Sequence, residues 1–221
     1  MFVTFEGLDG SGGTTQLALL RGALERQFPG REIVCTREPS DGPIGRFIRA
    51  ELVAGGQLGD TVFPYLFAAD RRDHLDRVVK PALARGAFVL SDRYFHSSLA
   101  YQSHAIGMAQ VEALNAAFPA PDLVVLLQLS PERCMERMKD RPGKDRFETL
   151  DWLRKIEAAY EEVCRRKADH RIARIDSGGP REDVHARVWA ALEAALAVGG
   201  AAVGGAAAGG AAAGSTVHAR S

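Results

Sequence analysis

The first twenty residues constrain the fold of this chain more than any other stretch. Phe2–Phe5 is a short apolar run of aromatic and β-branched residues, which predicts a buried strand. Three glycines follow at Gly7, Gly10 and Gly12, and after them leucines recur with helical spacing. In a phosphate-binding loop, this order lets backbone N–H groups and the positive end of a helix face one anion. The stretch therefore predicts such a loop.

The match to the loop motif G-x-x-x-x-G-K-[ST] is incomplete. Gly7, Gly12 and Thr14 occupy three of the fixed positions, but Gly13 stands where the motif has lysine. The hydroxyl of Thr14 is placed to bind Mg²⁺. The absent ammonium group would normally offset the charge that builds on the phosphates during phosphoryl transfer. On this stretch alone, an ordinary strand-to-helix turn remains an alternative.

Composition restricts the class of protein. A chain of 221 residues suits one domain with a substantial core. Basic and acidic residues number 28 each, so no global positive field predicts nucleic-acid binding. The three cysteines are scattered without metal-ligand spacing, which predicts reduced thiols and a cytoplasmic protein. We expect no signal peptide, because the N-terminus has no basic segment followed by a long apolar core. We expect no membrane association, because the longest apolar run, Leu123–Leu127, is too short to span a bilayer.

Five short apolar runs predict strands, and helical segments separate them. The predicted strands are Phe2–Phe5, Glu32–Thr36, Ala87–Leu90, Leu123–Leu129 and Ile172–Asp176; the predicted helices are residues 13–28, 43–53, 61–80, 111–118, 131–139, 150–163 and 182–197. This alternation predicts an α/β fold with a parallel sheet between helices. Residues 198–221 are rich in alanine and glycine and have no apolar stripe, so we expect a disordered tail after a domain of residues 1–197.

Charged residues follow two of the predicted strands, at the sheet edge where α/β proteins bind ligands. Arg37 is a candidate anion contact, with a solvated loop charge as the alternative. Asp92 suits Mg²⁺, and Arg93 suits bidentate binding of a phosphate. An internal ion pair between Asp92 and Arg93 is the alternative for these two.

Two other stretches are candidates for ligand recognition. Phe67 and Arg71 lie one helical turn apart, so they either recognise a flat base or are a core phenylalanine beside a surface arginine. Residues 140–148 contain Arg141, Lys144 and Arg146 beside proline and glycine. Such a basic, hinged loop is either solvated surface or a lid that closes over phosphates.

With these features in place, the sequence resembles the thymidylate kinase family over residues 1–197. The resemblance rests on FEGLDGSG-x-TTQ at residues 5–16, TREP at 36–39, LFAADRRDH at 66–74, DRYFHSSLAYQ at 92–102 and DRFE at 145–148. DRYFHSSLAYQ is the most specific of these, because many nucleotide-binding proteins share the glycine loop. The resemblance implies a three-layer αβα P-loop kinase fold with a five-stranded parallel sheet.

The resemblance also implies roles for individual residues. ATP would bind to the loop residues and to an arginine near adenine, namely Gly7, Gly10, Ser11, Gly12, Gly13, Thr14, Thr15 and Arg137. The dTMP site would consist of Arg37, Phe67, Arg71, Ser98, Tyr101 and Gln102, with Tyr101 beneath the deoxyribose. Mg²⁺ would lie at Thr14 and Asp92, and the catalytic residues would be Asp9, Arg93, Arg141 and Arg146.

The chain resembles the bacterial members of the family, whose arginines lie in the lid rather than in the glycine loop. The resemblance implies transfer of phosphate from ATP to dTMP, and a homodimer formed by the apolar helical faces around Ile44–Leu52 and Val62–Val79. Gly13 is the departure from the pattern. Lys144 would replace the missing charge, or the chain would be a slow kinase, or it would bind nucleotides without catalysis as a regulatory protein. A kinase for another nucleotide and an altered residue at Gly13 are the remaining alternatives.

Overall fold

The computed structural model describes residues 1–53, 57–139 and 149–205, with the backbone alone for residues 199–205. Its centre is a five-stranded parallel sheet in the order β2-β3-β1-β4-β5. The strands are β1 Phe2–Gly7, β2 Ile33–Arg37, β3 Phe88–Asp92, β4 Leu123–Gln128 and β5 Ile172–Asp176. All five strands run in the same direction, which confirms the predicted parallel sheet. Their carboxyl ends therefore meet at one edge of the sheet.

Helices cover both faces of the sheet. They are α1 Gly13–Gln27, α2 Pro43–Val53, α3 Phe63–His74, α4 Lys80–Ala84, α5 Phe95–Tyr101, α6 Ser103–Ile106, α7 Met108–Asn115, α8 Pro131–Met138, α9 Leu150–Arg166 and α10 Arg181–Gly205. Apolar side chains of α1 and α10 pack on one face, and those of α5, α7, α8 and α9 pack on the other. The three-layer αβα architecture is therefore confirmed.

Strand β1 alternates between the two layers, as the pleat requires. Val3 and Phe5 pack in the core beneath α1 and α10, whereas Phe2 belongs to the opposite core. Thr4 and Glu6 lie on the same face as Phe2 and are also buried. A carboxyl group thus lies buried beneath this helical layer, next to the glycine loop.

The region predicted as one helix over residues 61–80 is segmented. A 3₁₀ turn at Asp60–Val62 precedes α3, a π-helical turn at Leu75–Val79 follows, and α4 continues to Ala84. The predicted end before Pro81 is therefore wrong. Pro81 lies in the first turn of α4. The π-helical turn before it changes the register of the helical hydrogen bonds, so the N–H group that proline lacks is not needed there.

Two helical regions differ from the sequence prediction. Helix α5 forms within DRYFHSSLAYQ and α6 directly follows it, in a region where the sequence predicts no helix. The last helix continues to Gly205, beyond the predicted end at Ala197, so the first residues of the predicted tail are helical; residues 206–221 lie outside the described part. In the part of the chain that is described, no helix is both long and apolar enough to cross a membrane.

Candidate functional site

The loop between β1 and α1 requires glycine at specific positions. Gly7, Gly10 and Gly12 have positive φ angles of 143°, 85° and 107°. A Cβ on Gly7 would lie 2.5 Å from the carbonyl oxygen of Leu127, and one on Gly10 would lie 2.7 Å from that of Cys134. Larger residues are excluded by strain and by space. The backbone is thereby free to wrap around an anion at the end of α1.

Gly13, in contrast, does not require glycine. It lies in the first turn of α1, and a Cβ there would be 3.4 Å from Oδ1 of Asp92, an ordinary van der Waals distance. A lysine side chain therefore has room to begin at this position. The absence of lysine is a property of the sequence and not a steric demand of the fold.

The two predicted magnesium ligands lie next to each other. The hydroxyl of Thr14 donates a hydrogen bond of 2.7 Å to Oδ2 of Asp92, across 78 residues of sequence. Mg²⁺ is commonly held by one or two protein oxygens together with phosphate oxygens and water, and this pair fits that requirement. Within residues 1–53, 57–139 and 149–205, no three His, Cys, Asp or Glu side chains are grouped to hold a metal by themselves.

Arg93 is the most constrained residue of the site. Its φ of 72° lies in the left-handed region, which costs a non-glycine residue roughly 1–2 kcal/mol. The guanidinium pairs with Oδ1 of Asp9 at 2.6 Å and donates to the carbonyl of Gly7 at 3.1 Å. Burial disfavours its charge, but the facing Tyr101 and Asp9 raise the pKa of Arg93, so it remains a cation. Since Asp92 bonds to Thr14 and Arg93 pairs with Asp9, the alternative of an internal Asp92–Arg93 pair is wrong.

A first cavity, here called the loop cavity, has a volume of about 640 Å³. The glycine loop and the ends of β2, β3 and β5 surround it, and the predicted residues that line it are Gly7, Asp9, Gly10, Ser11, Gly12, Gly13, Thr14, Thr15, Arg37, Asp92, Arg93 and Arg137. Arg137 donates to the carbonyls of Ser11 at 3.3 Å and Ser177 at 3.0 Å, so it bridges the glycine loop to the turn after β5.

A second cavity, here called the aromatic cavity, has a volume of about 460 Å³. Five predicted substrate residues line it: Phe67, Arg71, Ser98, Tyr101 and Gln102. Phe67 is half-buried and lines this cavity together with Arg71, which follows one turn further along α3. The alternative of a core phenylalanine beside a surface arginine is wrong, because Arg71 is only 1% exposed.

The guanidinium of Arg71 is held from three sides. Nε donates to Glu38 at 2.8 Å, Nη2 donates to Ser98 at 2.9 Å, and Nη1 donates to Asn115. These bonds use three of its five N–H groups and leave two for a ligand. On the same cavity, Oε1 of Gln102 is buried without a hydrogen-bond partner in the described chain. The cavity thus offers a donor and an acceptor beside an aromatic ring, as recognition of a flat heterocycle requires.

The two cavities meet at Asp9, Glu38 and Arg93, which line both. Burial raises the pKa of Tyr101, so its hydroxyl keeps its proton and donates to Oδ2 of Asp9 at 3.2 Å. The ion pair of Arg93 and Asp9 therefore lies between the loop cavity and the aromatic cavity. The geometry suits two nucleotides with their phosphates facing each other.

Arg37 lies at the outer rim of the loop cavity. Its guanidinium is 57% exposed and pairs with Asp41 at 2.7 Å, so it can turn toward an incoming anion. The predicted lid residues Arg141, Lys144 and Arg146 lie outside the described residues.

Sequence reasoning missed four residues that support the arginines of the site. Glu38 and Asn115 accept hydrogen bonds from Arg71, Tyr160 accepts one from Arg93, and Glu6 accepts from Ser97 and Tyr160. Glu6 and Glu38 carry a signal in the sequence, because each is an acidic residue at or just after the end of a predicted strand and within a motif of the resemblance. Asn115 and Tyr160 are recognisable only once the helices are packed.

A parallel sheet, a glycine loop at the start of α1 and two adjoining cavities define a nucleotide-binding protein with the P-loop kinase fold. A family model described as thymidylate kinase matches residues 5–188. A probable thymidylate kinase from Pyrobaculum calidifontis is 37% identical over 198 residues, which are 89% of this chain and 98% of that protein. A thymidylate kinase from Exiguobacterium sp. is 39% identical over an alignment of 186 positions, and the match covers 80% of this chain and 86% of that protein.

The fold agrees with this assignment. The crystal structure of thymidylate kinase from Ehrlichia chaffeensis has a TM-score of 0.70 and 26% identity, and the match covers 87% of this chain and 98% of that one. The chain belongs to the thymidylate kinase family.

Proposed function

We propose that this protein transfers the γ-phosphoryl group of ATP to dTMP, giving ADP and dTDP, the precursor of dTTP. The observation that carries the proposal is the meeting of the two cavities at Asp9 and Arg93. Members of the family use ATP and dTMP. The loop cavity would bind ATP and the aromatic cavity dTMP, with the phosphates of both at Arg93.

In the loop cavity, the N–H groups between Gly10 and Thr15 bind the phosphates of ATP, and Arg137 faces the adenine. The family is generally Mg²⁺-dependent. Thr14 and Asp92 would hold the ion, which neutralises charge on the phosphate oxygens when bound. The 2.7 Å bond between these two side chains supports this assignment.

In the aromatic cavity, Phe67 stacks on thymine, and the two remaining N–H groups of Arg71 reach its O4. Ser98 and Gln102 contact the base region, and the unpartnered Oε1 of Gln102 supports its part in this. Tyr101 lies beneath the deoxyribose and excludes a 2′-hydroxyl. Arg37 and Arg93 bind the phosphate of dTMP.

The chemistry needs alignment and positive charge, but no covalent intermediate. An oxygen of the dTMP phosphate attacks the γ-phosphorus of ATP, and the bond to the β-phosphate oxygen breaks. Asp9 orients Arg93 toward the acceptor through their 2.6 Å ion pair. We assign the further positive charge to Arg141 and Arg146 of the lid, with Lys144 in place of the missing loop lysine.

Gly13 favours a second candidate function, a nucleotide-binding regulatory protein without catalysis. The decisive experiment incubates purified protein with ATP, Mg²⁺ and dTMP, and quantifies dTDP by ion-exchange chromatography, with dUMP, UMP and dGMP as competing acceptors. Turnover with dTMP supports the proposed kinase. Binding of both nucleotides without release of ADP supports the regulatory protein, and preference for another acceptor refutes dTMP as the substrate.

We further propose a cytoplasmic homodimer. Phe47, Val53, Val62, Tyr65 and Val78 are exposed apolar residues on or beside α2 and α3, and packing against a second copy would remove them from water. Sedimentation velocity of the wild type and of Phe47→Glu tests this. A monomeric wild type refutes the dimer, and a dimeric Phe47→Glu variant refutes this interface.

A further inference from the structure

Glu6 is a buried carboxyl group to which the proposed reaction gives no role. It is the residue before Gly7 in β1 and is 3% exposed. Burial raises the pKa of Glu6 to about 7. A carboxyl group that is costly to ionise lies directly behind the glycine loop and close to Arg93.

Three groups donate hydrogen bonds to this carboxylate. Oε1 accepts from the backbone N–H of Tyr94 at 2.9 Å, and Oε2 accepts from the hydroxyls of Ser97 at 2.5 Å and Tyr160 at 3.1 Å. Nδ1 of His96 is 3.9 Å from Oε1, too far for a hydrogen bond. Among the described residues this carboxyl group contacts three donors, an arrangement that suits its ionised form.

The same two hydroxyls accept hydrogen bonds from Arg93. Its Nη1 lies 3.0 Å from the hydroxyl of Ser97 and 3.3 Å from that of Tyr160. A hydroxyl has one proton, so a hydroxyl that donates to Glu6 presents only lone pairs to Arg93. The carboxylate therefore sets the direction of both bonds that support the guanidinium from behind.

We propose that Glu6 is a positioning residue for the acceptor phosphate: it orients the hydroxyls of Ser97 and Tyr160 so that they hold Arg93 toward the dTMP site. The inference rests on the proposed function, because it takes Arg93 as the group that binds the phosphate of dTMP. We expect this hydrogen-bond relay, from Glu6 through the two hydroxyls to Arg93, to act mainly on the acceptor side. Arg93 is a principal contact of the dTMP phosphate, whereas the N–H groups of the glycine loop hold ATP as well, although Nη1 of Arg93 also donates to the carbonyl of Gly7 at 3.1 Å.

Glutamine at position 6 keeps the size of the side chain but reverses the direction of the hydrogen bonds to Ser97 and Tyr160. Its carbonyl oxygen would accept from Tyr94, and its two amide N–H groups would donate to Ser97 and Tyr160. One hydroxyl proton can then lie between Ser97 and Tyr160, whose oxygens are 3.0 Å apart, but the other points at Arg93. The guanidinium loses an acceptor and is displaced.

The test compares wild type, Glu6→Gln and the control Thr4→Val in steady-state kinetics with dTMP and ATP varied separately. Thr4 lies on the same face of β1, is fully buried, and its hydroxyl has no hydrogen-bond partner in the described chain. We expect Glu6→Gln to raise KM for dTMP at least ~10-fold with KM for ATP within ~2-fold. Thr4→Val should change neither KM. An unchanged KM for dTMP, or an equal change in both KM values, overturns the proposal.

A double-mutant cycle supplies the second readout. Ser97→Ala with Tyr160→Phe removes both hydroxyls and should also raise KM for dTMP at least ~10-fold, and adding Glu6→Gln should then have no further effect. If Glu6→Gln raises KM for dTMP by the same factor in the hydroxyl variant as in the wild type, the proposal is overturned. If Glu6→Gln does not fold, Ser97→Ala and Tyr160→Phe are measured singly, and an unchanged KM for dTMP in both overturns the proposal. A wild type that neither binds nor phosphorylates dTMP refutes the proposed function and this inference together, whereas a normal wild type with an unaffected variant refutes the inference alone.

Discussion

Replacing Glu6 by glutamine should change how the stability of the protein depends on pH. Burial raises the pKa of this carboxyl group from 4.5 to about 7 on folding. Between these two values the folded protein binds more protons at Glu6 than the unfolded chain does. The free energy of unfolding therefore falls as pH rises through this window.

The expected size follows from the two pKa values. A shift of about 2.5 pH units corresponds to roughly 3 kcal/mol in full, of which about 2 to 3 kcal/mol lies between pH 5 and pH 8. Glutamine does not titrate, so Glu6→Gln should lack this decline. The histidines whose pKa is lowered by burial, His96, His104, His170 and His185, act with the opposite sign. His104, His170 and His185 are present in both proteins and cancel in the comparison. His96 lies 3.9 Å from Glu6, but burial holds its pKa well below the usual value, so it stays neutral in both proteins.

Urea unfolding at pH 5, 6, 7 and 8, followed by circular dichroism, measures the effect. The difference in unfolding free energy between Glu6→Gln and wild type should shift in favour of the variant by about 2 to 3 kcal/mol from pH 5 to pH 8. Thr4→Val, which removes a neighbouring buried hydroxyl, should follow the wild type at every pH. A constant difference between Glu6→Gln and wild type would refute the assignment of a raised pKa to Glu6.

Three further predictions follow from the site. Gly13→Lys should raise kcat for dTMP by up to ~10²–10³-fold if no other cation replaces the lysine. Gly13→Ala is the control that separates the charge from the added Cβ. An unchanged kcat in Gly13→Lys, with a large loss of kcat in Lys144→Ala, would show that the lid supplies the charge. Arg71→Met should lower the free energy of unfolding by about 3–5 kcal/mol, because it leaves the buried carboxylate of Glu38 without its 2.8 Å partner. Chemical denaturation measures this loss, and a value below about 1 kcal/mol would contradict the buried ion pair. Asp92→Asn should raise the Mg²⁺ concentration for half-maximal activity at least ~10-fold, and an unchanged Mg²⁺ titration would exclude Asp92 as a ligand.

Much of the fold and part of the site can be predicted because their signals are local. The glycine loop is recognisable since the required backbone conformation and the start of α1 lie within a dozen residues. The order of five apolar runs and helical segments determines a parallel sheet, so the gathering of Arg37, Asp92 and Arg93 at one edge was predictable. The end of the helix before Pro81 was not, because local propensity does not reveal the π-helical turn that moves the proline to a tolerated position.

The environment of each charged residue was decided by the tertiary structure alone. Spacing placed Phe67 and Arg71 on one helical face, but only the packing of Glu38, Ser98 and Asn115 around Arg71 makes it a buried residue. Composition likewise says nothing about the relay from Glu6 to Arg93. It joins β1 to Tyr160 across 154 residues of sequence, through atoms that meet only when α9 covers the sheet. Local sequence determines backbone conformation, whereas ionisation and hydrogen-bond direction depend on neighbours that are distant in the chain and close in space.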